Sequence, residues 1–112
     1  MTSHHWVEFD EFSLTRLPIG RAEGRLYVLF TRSGRQLGAD ESPDLAAWPL
    51  AGHVTFESGG RQLEHLGHTG GGGDSLQTHL VELADSGERS MTITYVEADE
   101  ILSAELVDLP ER

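Results

Sequence analysis

Met91-Thr-Ile-Thr-Tyr-Val96 decides the fold class. Its large apolar residues, Met91, Ile93 and Tyr95, alternate with Thr92 and Thr94, and a period of two puts each set on its own face of a strand. Thr, Ile, Tyr and Val also suit a pleated, half-buried surface. The same rhythm continues outward in both directions. Trp6-Val-Glu-Phe-Asp-Glu-Phe12 alternates through Val7, Phe9 and Phe12. Arg25-Leu-Tyr-Val-Leu-Phe-Thr31 holds five consecutive large apolar residues, the pattern of a strand covered on both faces. Leu76-Gln-Thr-His-Leu-Val-Glu-Leu83 sets Leu76 and Leu80 against Val81 and Leu83. Residues 101–109 suit helix or strand by composition, and Pro110 with the alternation of Leu102, Ala104 and Leu106 points to a last strand.

A repeated word marks where the chain folds back. Phe30-Thr-Arg-Ser-Gly34-Arg35-Gln36-Leu37 and Phe56-Glu-Ser-Gly-Gly60-Arg61-Gln62-Leu63 each place Ser and Gly between a phenylalanine and an arginine. Glycine accepts the positive φ of a tight connection, so the repeat predicts hairpins turning at Ser33-Gly34 and Gly59-Gly60. Both phenylalanines then become core positions. Gly20 and Gly24 bracket another turn, and Asp85-Ser-Gly87-Glu88 a further one. From Gly38 to Pro49 the rhythm breaks into a loop, with one helical turn over Leu45–Trp48 that plugs an end of the fold. Gly70–Gly73 reads as a flexible loop, since glycine loses the most backbone freedom on ordering.

These elements predict one all-β domain over residues 1–112: an antiparallel β-sandwich or flattened small β-barrel of about seven to nine short strands. No helical stretch separates the strands, which excludes a parallel α/β sheet. The expected core is Val7, Phe9, Tyr27, Leu29, Val54, Phe56, Leu63, Leu80, Ile93 and Tyr95. Tyr27 and Leu29 compete with Phe30 for the same interior.

The chain of 112 residues carries a formal charge of −11, eight arginines and neither lysine nor cysteine. Lysine-free composition rich in Gly, Ala, Arg and Leu points to a GC-rich bacterial genome. Without cysteine there is no disulfide framework, thiolate metal site or cysteine nucleophile. The acidic excess concentrates late: residues 51–112 hold three arginines against twelve acids. Such a surface repels phosphate backbones and anionic bilayers, so neither nucleic acid nor membrane is an expected partner. The N-terminus lacks a basic start followed by an apolar run, and the expected location is cytoplasmic.

Six histidines invite a test for metal binding. His65 and His68 stand three apart, with His53 and His79 on neighbouring strands, and imidazoles bind zinc, copper or nickel. A continuous strand through residue 68 points His65 and His68 to opposite faces, which favours solvated histidines. The catalytic constellations are thin. Ser75 and His79, four residues along one strand, stand about 13 Å apart, too far for a nucleophile and its base. An apolar ligand, if one is carried, has Tyr27, Trp48 and Tyr95 as its candidate contacts.

His68-Thr69-Gly70, the glycine run, Asp74 and the strand that follows resemble the His-Thr-Gly-Asp-Asn segment of the TerD-type tellurium-resistance and stress proteins. The order of the Gly60 hairpin, Ala84-Asp85 and Met91–Val96 is similar too, so the likeness spans residues 26–96. It implies a β-sandwich that binds calcium through acidic loops. Asp74 is the ligand position that carries over, with Asp40 and Glu41 loosely placed. Gly71 and Gly72 stand where that family has Asp-Asn, and Arg25-Leu26-Tyr27 where it has paired aspartates. The candidate metal residues are thus Asp74, from this resemblance, and His65 and His68, from the histidine cluster, and no other cofactor is expected. The leading functional expectation is a small acidic non-catalytic binding or assembly module, joined to a protein partner or to itself as a homo-oligomer. The alternatives are a TerD-like calcium-binding stress protein and a small β-barrel enzyme or carrier for an apolar molecule.

Overall fold

A computed structural model of the chain describes residues 5–9, 12–34, 53–72 and 76–111, and every regular element in them is a strand. In chain order these are β1 (His5–Glu8), β2 (Phe12–Arg16), β3 (Gly20–Ala22), β4 (Arg25–Gly34), β5 (Val54–Ser58), β6 (Arg61–Gln62), β7 (His65–Gly72), β8 (Leu76–Ala84), β9 (Ser90–Glu97) and β10 (Glu100–Asp108). One sheet runs β1-β2-β4-β8-β7, with β3 also paired to β4; the other runs β10-β9-β5-β6. Every pairing is antiparallel. The result is an all-β sandwich of ten strands, slightly more than the sequence predicts. No helix among the described residues is long and apolar enough to cross a membrane.

The core lies between the sheets, where the period-two residues meet. Leu26, Val28 and Phe30 of β4, Val81 and Leu83 of β8, Val54 and Phe56 of β5, and Met91, Ile93 and Tyr95 of β9 are all buried. Phe30 and Phe56, the two repeat phenylalanines, meet across the sandwich with ring centroids 6.2 Å apart. Val7 and Phe9 are buried as expected, and Leu63 packs half-buried against the same cluster.

Tyr27, Leu29 and Leu80 correct the expected core. They occupy the outer face of the first sheet and are half-buried there. Leu29 stands directly opposite Leu80 in the ladder, so the two cover one another outside the core. In a run apolar at both parities, alternation cannot choose the inner face. The inward Leu14, Val81 and Leu83 on the flanking strands do.

Only one of the two repeats makes the turn expected of it. Gly59 and Gly60 have φ of 62° and 79° and join Ser58 to Arg61 in a two-residue hairpin, where a side chain would be strained at both positions. Ser33 and Gly34, by contrast, continue β4, paired with Ser13 and Phe12 of β2. Residues 35–37, the expected helical turn over Leu45–Trp48, and Asp74 lie outside the described residues. Residues 85–89, expected as a turn, carry the chain from one sheet to the other, with Gly87 at a φ of 82°.

Gly70–Gly72, expected as loop, form the end of β7. The ladder to β8 holds them, and at Gly70 a side chain would crowd the neighbouring strand. An added Cβ would lie 3.1 Å from Nδ1 of His79, directly across the ladder.

Candidate functional site

Arg16 ends β2 on the same parity as the buried Leu14, and the alternation that buries Leu14 carries a guanidinium into the core. It is 2% exposed. Its partner comes from β10, where Glu105 shares the inward parity of Val107. Arg16 Nε donates to Glu105 Oε1 at 2.7 Å and its terminal NH2 to Oε2 at 2.9 Å, a bidentate fork, while NH1 donates to the Leu17 carbonyl at 3.1 Å. Tyr95 Oη donates to Glu105 Oε1 at 2.8 Å. His5 stacks on Tyr95, ring centroids 5.4 Å apart, with Nδ1 at 3.5 Å from Glu105 Oε2 and Nε2 at 3.1 Å from the Ser103 hydroxyl. Four strands from both sheets thus meet in one polar latch.

Its electrostatics follow from that geometry. The hydrogen bond to Glu105 raises the Arg16 guanidinium above its ordinary value, against the opposing effect of burial. Burial would push the Glu105 carboxyl up; hydrogen bonds from Arg16 and Tyr95, with the charges of Arg16 and His5, outweigh it and hold the group below its ordinary range. Burial, then the Glu105 charge, pushes the Tyr95 phenol well above its usual range. Tyr95 is thereby a fixed donor, and the fork leaves Glu105 no role as a proton acceptor. This is the chemistry of a structural tie.

A second polar group is buried with no such support. His79 of β8 is 4% exposed, and neither ring nitrogen has a hydrogen-bond partner among the described residues. Burial, then the charges of Arg32 and His68, pushes it down to about 4. The β7 ladder explains its company. A register shift between His65 and Gly67 sets His65 opposite Leu83 and His68 opposite Val81, both inward residues. His65 and His68 therefore share the inner face with His79, which corrects the expectation that they diverge. The His65 ring meets Phe56 at 5.7 Å, and burial, then the His68 charge, lowers its pKa. Among the described residues, no group of three or more His, Asp or Glu side chains is arranged to hold a metal ion.

The proposed aromatic contacts do not converge. Tyr27 lies on the outer face of the first sheet and Tyr95 on the inner face of the second, so they line no common cavity. Trp48, like Asp74, is outside the described residues. A cleft of about 200 Å³ is lined by Arg21, Ala22, Glu23, Gly24 and Asp85. Its guanidinium is already engaged, forked to Asp85 at 2.8 Å on both oxygens and donating to the carbonyls of Pro110 and Glu88 at 2.8 and 2.6 Å.

The sheet edges differ in kind. β1 has four residues and β6 two; β7 is bulged and ends in glycines. β10 has nine residues, with a register shift at Leu102, and pairs only with β9 among the described strands. Its outer face carries Ile101 at 69% and Leu106 at 73% exposure, with Leu102 and Ala104 also exposed. Val96, Thr94 and Thr92 lie opposite Ile101, Ala104 and Leu106 and extend that uncharged strip across β9. No family model, curated protein or solved structure matches the chain.

Proposed function

We propose that this protein is a non-catalytic binding or assembly module that works by strand addition at the β10 edge. The observation that carries this reading is a nine-residue strand, unpaired on one side among the described strands, whose outer face exposes Ile101, Leu102 and Leu106. A long open edge offers backbone donors and acceptors to an incoming strand, and alternate side chains supply selectivity. The latch supports the same reading from behind. Glu105 and Ser103 fix the inner face of β10 to Arg16 and His5, so the edge is presented in a set conformation. Preorganisation of that kind lowers the ordering cost of association.

The test is site-specific photo-crosslinking of the full chain in its native cells. A crosslinking residue at position 104 is expected to give a discrete adduct, with a second copy or another protein, that disappears when Leu106→Lys is added. Uncrosslinked monomer in both cases overturns the reading.

A further inference from the structure

On the reading that β10 is the working edge, we infer that its occupant is an extended, cationic segment of another protein. Such a segment joins the second sheet as a fifth strand, with apolar residues facing Leu102, Ala104 and Leu106 and basic residues at its ends. Charge selects this partner. Residues 90–111 hold six acids and no basic residue. Glu105 is neutralised inside the sandwich by Arg16. Asp99 and Glu100 at one end of β10, and Asp108 and Glu111 at the other, are exposed. None of those four has an ion-pair partner among the described residues. The edge is therefore an uncharged centre between two acidic ends.

A second copy fits this edge poorly. Antiparallel self-pairing centred on Ala104 would align Leu102 with Leu106, which is favourable. The same register sets Glu100 opposite Asp108 at both ends, and like charges directly opposite destabilise a ladder. Each copy also brings a formal charge of −11. Lysine or arginine at the ends of an incoming strand turns both clashes into attractions and speeds encounter.

The probes are two synthetic nine-residue peptides with the same Val-Thr-Val-Thr-Val centre, one flanked by Lys-Lys and one by Glu-Glu, read by fluorescence anisotropy against the full chain. A third carries the lysine ends with alternate backbone amides methylated, so that it cannot pair as a strand. The lysine-ended peptide is expected to bind, to weaken by about tenfold between low and physiological salt, and to lose binding on methylation. The glutamate-ended peptide is expected not to bind. Asp99→Asn with Glu100→Gln and Asp108→Asn should weaken the lysine-ended peptide by at least about tenfold while leaving the melting temperature unchanged, because all three side chains face solvent. Equal binding of both charged peptides, or indifference to methylation, overturns the cationic-strand proposal. So does sedimentation as a dimer that Leu106→Lys dissolves, which assigns the edge to a second copy. Crosslinks at position 104 without preference for the basic peptide leave the edge reading standing and remove only the partner class. Absence of those crosslinks removes the edge reading itself.

Discussion

Two polar groups are buried on opposite sides of this sandwich, and they are treated in opposite ways. Between β1, β2, β9 and β10, Arg16 and Glu105 have several partners each. Between β7 and β8, the His79 ring nitrogens have none among the described residues. The difference teaches that burial does not by itself say what a polar residue contributes. A buried charge with its hydrogen bonds made fixes register between two sheets. A buried imidazole with none made is a stored cost, and here its ring lies over Gly70.

The largest expected effect breaks the satisfied side. Glu105→Leu leaves the Arg16 charge buried and unpaired, and is expected to lower unfolding stability by about 3–5 kcal/mol in urea titration. Arg16→Met added to Glu105→Leu should recover much of that loss, because the stranded charge is gone. A double variant no more stable than the single would mean the fork was not the cause.

Acid separates the two regions next. His79 holds its folded value near 4 against an ordinary 6.5, so the unfolded chain binds the proton first. Stability from this group is complete above pH 6.5 and falls as pH drops towards 4, by about 3 kcal/mol at pH 4. Glu105 shifts in the same direction but from a lower ordinary value, so its loss comes at lower pH. Its lowered folded value keeps its contribution intact above 4.5, to be lost only as pH falls through that lowered value. His79→Leu should therefore flatten the stability profile between pH 6.5 and 4 and leave the loss at lower pH in place. An unchanged slope in that window would show that another group sets it.

A smaller effect probes the contact that His79 depends on. Gly70→Ala places a methyl group 3.1 Å from the imidazole and should cost about 1 kcal/mol. The cost should shrink in a His79→Ala background, measurable as a double-mutant cycle. The least effect belongs to the β10 edge: Leu106→Lys should change stability by no more than about 0.5 kcal/mol, in keeping with an exposed site.

Most of the architecture was legible in the sequence because most strands have one apolar parity. Met91, Ile93 and Tyr95 point inward as their spacing says, and the Gly59-Gly60 hairpin turns where the glycines are. β4 was harder, because Leu26 to Phe30 are apolar at both parities and the neighbouring strands choose the face. β10 was legible as a strand, but its inner face was not. Its visible leucines, Leu102 and Leu106, lie outside, while Ser103, Glu105 and Val107 lie inside. Arg16 was in principle readable, two residues after the inward Leu14, but a charge at a core parity only becomes a prediction once its partner is known. That partner stands 89 residues away. The bulge in β7, which brings His65 and His68 to one face, leaves no mark in the spacing.

The distance in sequence between Arg16 and Glu105 has a consequence for how the molecule is made. The Arg21 contact with the Pro110 carbonyl spans 89 residues as well. Such closures are slow, since the chain must lose the freedom of nearly its whole length before either contact is gained. During synthesis the first hairpin emerges early and waits, its guanidinium in water, until β10 has left the ribosome. A chain that stops before residue 105 can form neither tie. The two sheets are tied together only once β10 and Pro110 have been made.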